Sequence, residues 1–134
     1  MAVPAPPDGA AGAPGTVVAV TSPDPHTEGR RAATELLRLI ADGGSAKVDE
    51  LLAGIPTIRE LVFVGAGLSS IARTEGRQLP PAQRAQASTR QLNLGRLRDS
   101  HRSDPEGLRR WLRQAAEEIL LIRSQLAVAE RFAD

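Results

Sequence analysis

DPEGLRRWLRQAAEEILLIRSQLAVAERF, residues 104–132, is the stretch on which the fold turns. Asp104-Pro105-Glu106 is a helix start signal: a capping carboxylate, a proline at the first helical position, and an acid favoured by the helix dipole. Leu108, Leu112, Ala115, Ile119, Ile122, Leu126 and Ala129 then follow at alternating spacings of four and three. That is a 3.5-residue repeat, coiled-coil-like, held for three heptads. Trp111 adjoins this stripe, and its natural role is a packing anchor. Leu120 and Leu121 lie off it, so the turn from Ile119 to Ile122 is apolar nearly all round. A helix of that kind wants partners on several sides, as at a bundle centre or in a multi-helix oligomer seam. The residues expected in core or interface are Leu108, Trp111, Leu112, Ile119, Leu120, Ile122 and Leu126.

The upstream sequence supplies the other helices. Ala33, Leu36, Leu37 and Ile40 fall at i, i+3, i+4, i+7, which predicts a helix from Thr27 or Glu28 to Gly43-Gly44. Ser45 is placed to cap a short second helix carrying Val48, Leu51 and Leu52, closed by Gly54 and Pro56. Thr57-Ile-Arg-Glu60 has capping-box spacing and predicts a third helix from Ile58 to about Ala72. Leu61-Val-Phe-Val64 is β-prone and competes with that assignment. Pro80-Pro81 opens a polar segment to about Asp99, thinly apolar at Ala85, Leu92, Leu94 and Leu97, which suits a solvated helix.

A chain of 134 residues holds a single domain. Residues 1–26 are rich in Pro, Ala and Gly and predict a disordered tail, with Thr16–Thr21 its one β-prone run. Residues 27–134 then form a mainly α domain, a small bundle of four to five helices with one modest core. Aromatics are scarce, so Leu, Ile, Val and Ala do the packing. There is no cysteine, which excludes disulfide and thiolate chemistry. The N-terminus lacks a basic region followed by an apolar run. Leu61–Ala72, the longest uncharged apolar window past the tail, falls short of the 18 or so residues a membrane span needs. A soluble, cytoplasmic protein is expected.

Net charge is +1, but it is unevenly spread: residues 73–113 carry ten arginines against four acids. Only Lys47 among the basic residues is a lysine. Arginine makes bidentate contacts to phosphate or carboxylate that lysine cannot; a compositional bias toward Arg and Ala explains the same count. Arg59, Arg84, Arg90, Arg96 and Arg98 are the candidate contacts to phosphate or to an acidic partner.

Two local resemblances bear on function. Leu61-Val-Phe-Val-Gly65-Ala-Gly67-Leu-Ser-Ser70 resembles the opening of a dinucleotide-binding fold, which implies glycine amides approaching a pyrophosphate at a helix N-terminus. Ser70 stands where that pattern has Gly or Ala, and no second strand ending in an acid follows about 20 residues on. The alternative is that Gly65, Ala66, Gly67, Ser69 and Ser70 let another helix pack closely. Leu36–Ala41 followed by Val48–Thr57 resembles the first two helices of winged helix-turn-helix regulators. That implies a third helix presenting Thr57, Arg59 and Glu60 to a DNA groove, a role to which the apolar Leu61–Val64 is ill suited.

The remaining polar residues form no catalytic set. His26 and His101 lack neighbouring ligands, Glu117-Glu118 lacks a Glu-x-x-His companion, and Ser69 and Ser70 have no base nearby. No cofactor is expected. The sequence therefore points to a non-enzymatic helical interaction or assembly protein, either a self-associating scaffold or a small subunit or adaptor. Its partners would be helices of its own kind or of another protein. The alternative is a winged-helix-type DNA-binding regulator, with nucleic acid as the partner.

Overall fold

The structure, a computed structural model, describes residues 24–132. Over these residues the chain forms five helices and no strand: α1 (Pro25–Ala41), α2 (Ser45–Ala53), α3 (Ile58–Gly76), α4 (Pro81–Ser100) and α5 (Pro105–Arg131). The expected mainly α bundle is what the chain builds. The expectations for residues 1–23, tail and β-prone run alike, lie outside the described residues.

Local chemistry explains most boundaries. α1 begins at Pro25, two residues before the expected start, because the Asp24 carboxylate accepts from the Thr27 backbone N–H at 3.2 Å. Asp24-Pro25 is the same start signal as Asp104-Pro105. The helix stops where Gly43 takes φ 75°, a left-handed turn that favours glycine. α2 is capped by Gly44 rather than by Ser45, which is its first helical residue and makes no capping hydrogen bond. α3 begins with the Thr57 hydroxyl accepting from the Glu60 N–H at 3.1 Å. The Glu60 carboxylate accepts from that hydroxyl at 2.7 Å instead of reaching the Thr57 amide, so the box closes through side chains.

The β-prone Leu61–Val64 is helical because Leu61 and Val64 fall on one helical face with Leu68 and Ala72. Leu61, Val64, Leu68 and Ala72 are all buried, at spacings of three and four. At the start of α5 the Asp104 carboxylate stands 3.3 Å from His101 Nδ1 and closes no aligned capping bond. The nearby Gly107 backbone N–H, followed by the His101 ring, holds that carboxyl below the usual aspartate range.

The helices alternate in direction. Contacts of Gly65 with Trp111 and of Gly76 with Ile122 keep one offset, so α3 and α5 run parallel. α1 lies along α3 in the same direction, with Gly29 against Phe63 and Ala33 against Gly67. α2 and α4 are the returning strokes: Arg113 pairs with Asp49, Arg109 donates to the Leu52 and Ile55 carbonyls, and Arg90 pairs with Glu118. The core is one cluster built mainly from α1, α3 and α5, with Leu36, Leu61, Leu68, Leu108, Leu112, Ile119 and Ile122 fully buried. Burying one such side chain contributes about 1.5–3 kcal/mol. α4 is the outlier, with Ala87 as its only buried residue among the described ones.

Candidate interaction surfaces

The five large apolar side chains exposed among the described residues are Val62 (40%), Leu92 (66%), Leu121 (42%), Val128 (43%) and Phe132 (81%). They fall on two surfaces. Exposed apolar groups that cluster are more informative than ones scattered singly.

The first surface is the C-terminal part of α5. Glu75 near the end of α3 accepts from Arg123 Nε at 2.8 Å and from Nη2 at 2.9 Å, and the Glu75 carboxylate raises the Arg123 pKa. Ile122 is the last buried residue of α5. From Ser124 the helix therefore runs past the end of α3 by two turns, about 12 Å at the α-helical rise. Leu126 still touches the core and is half-buried. The outer face reads Glu117, Leu121, Ser124, Val128, Arg131 at spacings of four and three, every one exposed. It is a second heptad stripe, opposite the buried one, with an acid at one end, a base at the other and apolar groups between.

The second surface is a cleft of about 810 Å³ between α3 and α4. Its floor is Trp111, Ala115 and Ile122 of α5. Around it stand Arg73 from α3, Arg77 as the cap at its C-terminal end, and Arg84, Arg96 and Arg98 from α4. Asp99 is the one carboxylate in the lining, and it already accepts from Arg98 at 3.1 Å. Arg73, Arg77 and Arg84 make no ion pair among the described residues. Past Ser69, Arg73 and Trp111 the cleft continues into a recess of about 240 Å³ edged by Val62, and Leu92 stands on its α4 wall.

The residues singled out from sequence divide accordingly. Leu108, Trp111, Leu112, Ile119 and Ile122 are buried within the chain's own core, while Leu120 and Leu126 are half-buried against it. The turn from Ile119 to Ile122 is thus not enclosed: Leu121 faces outward. Arg84, Arg96 and Arg98 come together at the cleft, and sequence reasoning left out Arg73 and Arg77, which complete it. Arg90 is taken up inside the fold, its Nε 2.7 Å from both oxygens of the buried Glu118 carboxylate. Arg59 lies elsewhere, its guanidinium 5.4 Å from the Phe63 ring centroid, and His26 meets the same ring edge-on.

Neither resemblance transfers its geometry. Gly65 and Gly67 sit inside a continuous helix, the first under the Trp111 ring and the second against Gly29, Arg30 and Ala33 of α1. Close helix packing accounts for both glycines. Thr57 and Glu60 are engaged with each other as the cap of α3. Among the described residues no group of three His, Cys, Asp or Glu is placed to hold a metal ion, and no helix is long and apolar enough to cross a membrane. Comparisons with protein families, with curated proteins and with solved structures returned no match.

Proposed function

We propose that the chain is a non-enzymatic assembly protein that self-associates through the exposed face of α5, two copies lying antiparallel. The observation that carries this reading is the stripe Glu117, Leu121, Ser124, Val128, Arg131 on a helix that outruns its neighbours. Antiparallel pairing about Ser124 sets Glu117 of each copy opposite Arg131 of the other and lays Leu121 against Val128. Parallel pairing would set like charges together at both ends, which is unfavourable. A two-fold arrangement of this kind is self-complementary and closes after two copies. Phe132, at the end of the same face, adds apolar area. We take the protein to act in the cytoplasm, a setting that the absence of cysteine suits.

The test is mass in solution by light scattering over a range of concentrations. The full chain should move from 14.2 kDa toward twice that value as concentration rises. Leu121→Asp should return it to the monomer with its helical circular dichroism intact, because Leu121 is outside the core. Arg131→Glu should weaken association, and adding Glu117→Arg should restore it. A folded wild-type chain that stays monomeric throughout refutes the reading. Ile122→Asp is no test of it: that side chain is buried in the core, and the charge would unfold the bundle.

A further inference from the structure

The cleft between α3 and α4 lies on a different surface from the α5 stripe and asks for a different occupant. Its five arginines are spread along its length, with Arg77 and Arg84 toward one end, Arg96 and Arg98 toward the other, and Arg73 between. The wall from Val62 on α3 to Arg77 at its C-terminal cap spans about 22 Å. A small anion neutralises charge at one point, so charge distributed over this length calls for a polymer. The rim narrows the class further. Trp111, Ala115 and Ile122 beneath it are already buried, so the apolar surface that the cleft offers is exposed Val62 and Leu92 with half-buried Leu94. A nucleic-acid duplex presents phosphates and would leave that apolar ground uncovered, whereas a peptide with acids along one side and aliphatic groups along the other satisfies both.

We propose that this cleft is the docking site for an acidic amphipathic segment of another protein. The segment sets apolar side chains on Val62, Leu92 and half-buried Leu94 and carboxylates on Arg73, Arg77 and Arg84, which have no anionic partner within the described chain. Arginine suits the task, since its planar fork takes a carboxylate through two N–H groups. The chain's own residues 1–23 are excluded as occupant by charge: Asp8 is the only ionisable side chain among them. The looseness of α4, which buries only Ala87 among the described residues, lets the cleft widen for a helix at small cost.

The probe is a fluorescein-labelled synthetic peptide of about five helical turns, with Glu and Leu at amphipathic spacing. Controls are a scrambled peptide of identical composition, the same peptide with Lys for Glu, and a labelled DNA duplex. The partner is the full-length protein, and anisotropy is the readout. The amphipathic acidic peptide should bind saturably and more weakly as salt rises. Arg73→Glu with Arg77→Glu should weaken it by about tenfold or more, as loss of two charge-assisted contacts implies. Arg59→Glu, on a separate surface, should leave it unchanged. All three arginines are exposed, so these variants keep the core; Arg84→Glu, on the other wall, gives the same answer independently. The proposal fails if the scrambled or the Lys peptide binds equally well. It also fails if the charge reversals in the cleft have no effect, or if the duplex is preferred, which would make this a nucleic-acid surface.

Discussion

Glycine at position 29 sets how closely the two best-packed helices approach. A Cβ built there would stand 2.5 Å from the Phe63 carbonyl oxygen and 2.7 Å from its carbon, both backbone atoms that cannot rotate away. Gly29→Ala gains about 0.5–1 kcal/mol of helix propensity. Overpacking against fixed backbone costs about 1–3 kcal/mol, so the loss wins. Gly95 in α4 is the counterexample, its nearest foreign atom being Arg98 Nη2 at 3.9 Å. Gly29→Ala should lower the urea midpoint, and Gly95→Ala should raise it, both with an unchanged slope. Equal shifts for the two would mean that α1 and α3 do not meet as closely as the structure has them. The need for glycine at 29 was not legible in the sequence, where Thr27-Glu-Gly-Arg30 recurs as Thr74-Glu-Gly-Arg77 with no sign that only the first glycine is pressed against another helix's backbone. Trp111 was legible as a packing anchor and Gly65 as a site of close helix packing, but that the two meet was not, because the contact joins residues far apart in the chain.

Among the elements, the strongly periodic ones were readable and the weakly periodic ones were not. The buried stripe of α5 announces itself because Leu108, Leu112, Ile119 and Ile122 repeat with the period of the helix. The mixed signal at Leu61–Val64 resolves to helix because packing against α1 and α5 rewards spacings of three and four over alternation. The outer stripe of α5 was present in the sequence as a second set of four–three spacings. It was hidden by the polar half, Arg110, Gln114 and Glu117, that precedes Leu121 on the same face. α4 was read as a solvated helix and is one, held chiefly by Ala87, half-buried Leu94 and Leu97, and the Arg90–Glu118 pair. That thin anchoring has a kinetic signature. Backbone amides in the middle of α4 should exchange with deuterium at least about tenfold faster than those of α3 between Val64 and Ala72. Equal protection in the two would contradict the picture of a loosely held fourth helix.

At the scale of the whole molecule, three parallel helices and two returning ones bury one core and leave two surfaces unfinished. The core draws its members from α1, α2, α3 and α5 and the loops, with only Ala87 from α4. The cationic cleft follows directly from this, since α4 packs on α5 while standing off from α3. Its arginines were visible as a charge excess between residues 73 and 113, but which of them converge depends on the turn at Gln78–Pro80 folding α4 back beside α3. The α5 overhang is what remains when a 27-residue helix is packed beside helices of 17 and 19 residues. Its exposed stripe is the basis of the self-assembly reading.

Antiparallel pairing about Ser124 fixes a distance that no other arrangement shares. The chain has no native cysteine, so Gln114→Cys, exposed on the same stripe, takes a spin label at a single place. Ten residues separate it from Ser124, so the two labels in a dimer should lie about 30 Å apart along the helix axis. A dipolar distance distribution centred there, lost on Leu121→Asp, is the predicted result. Labels about 10 Å apart, the interaxial distance of a parallel pair, or no dipolar coupling at any concentration, would contradict it.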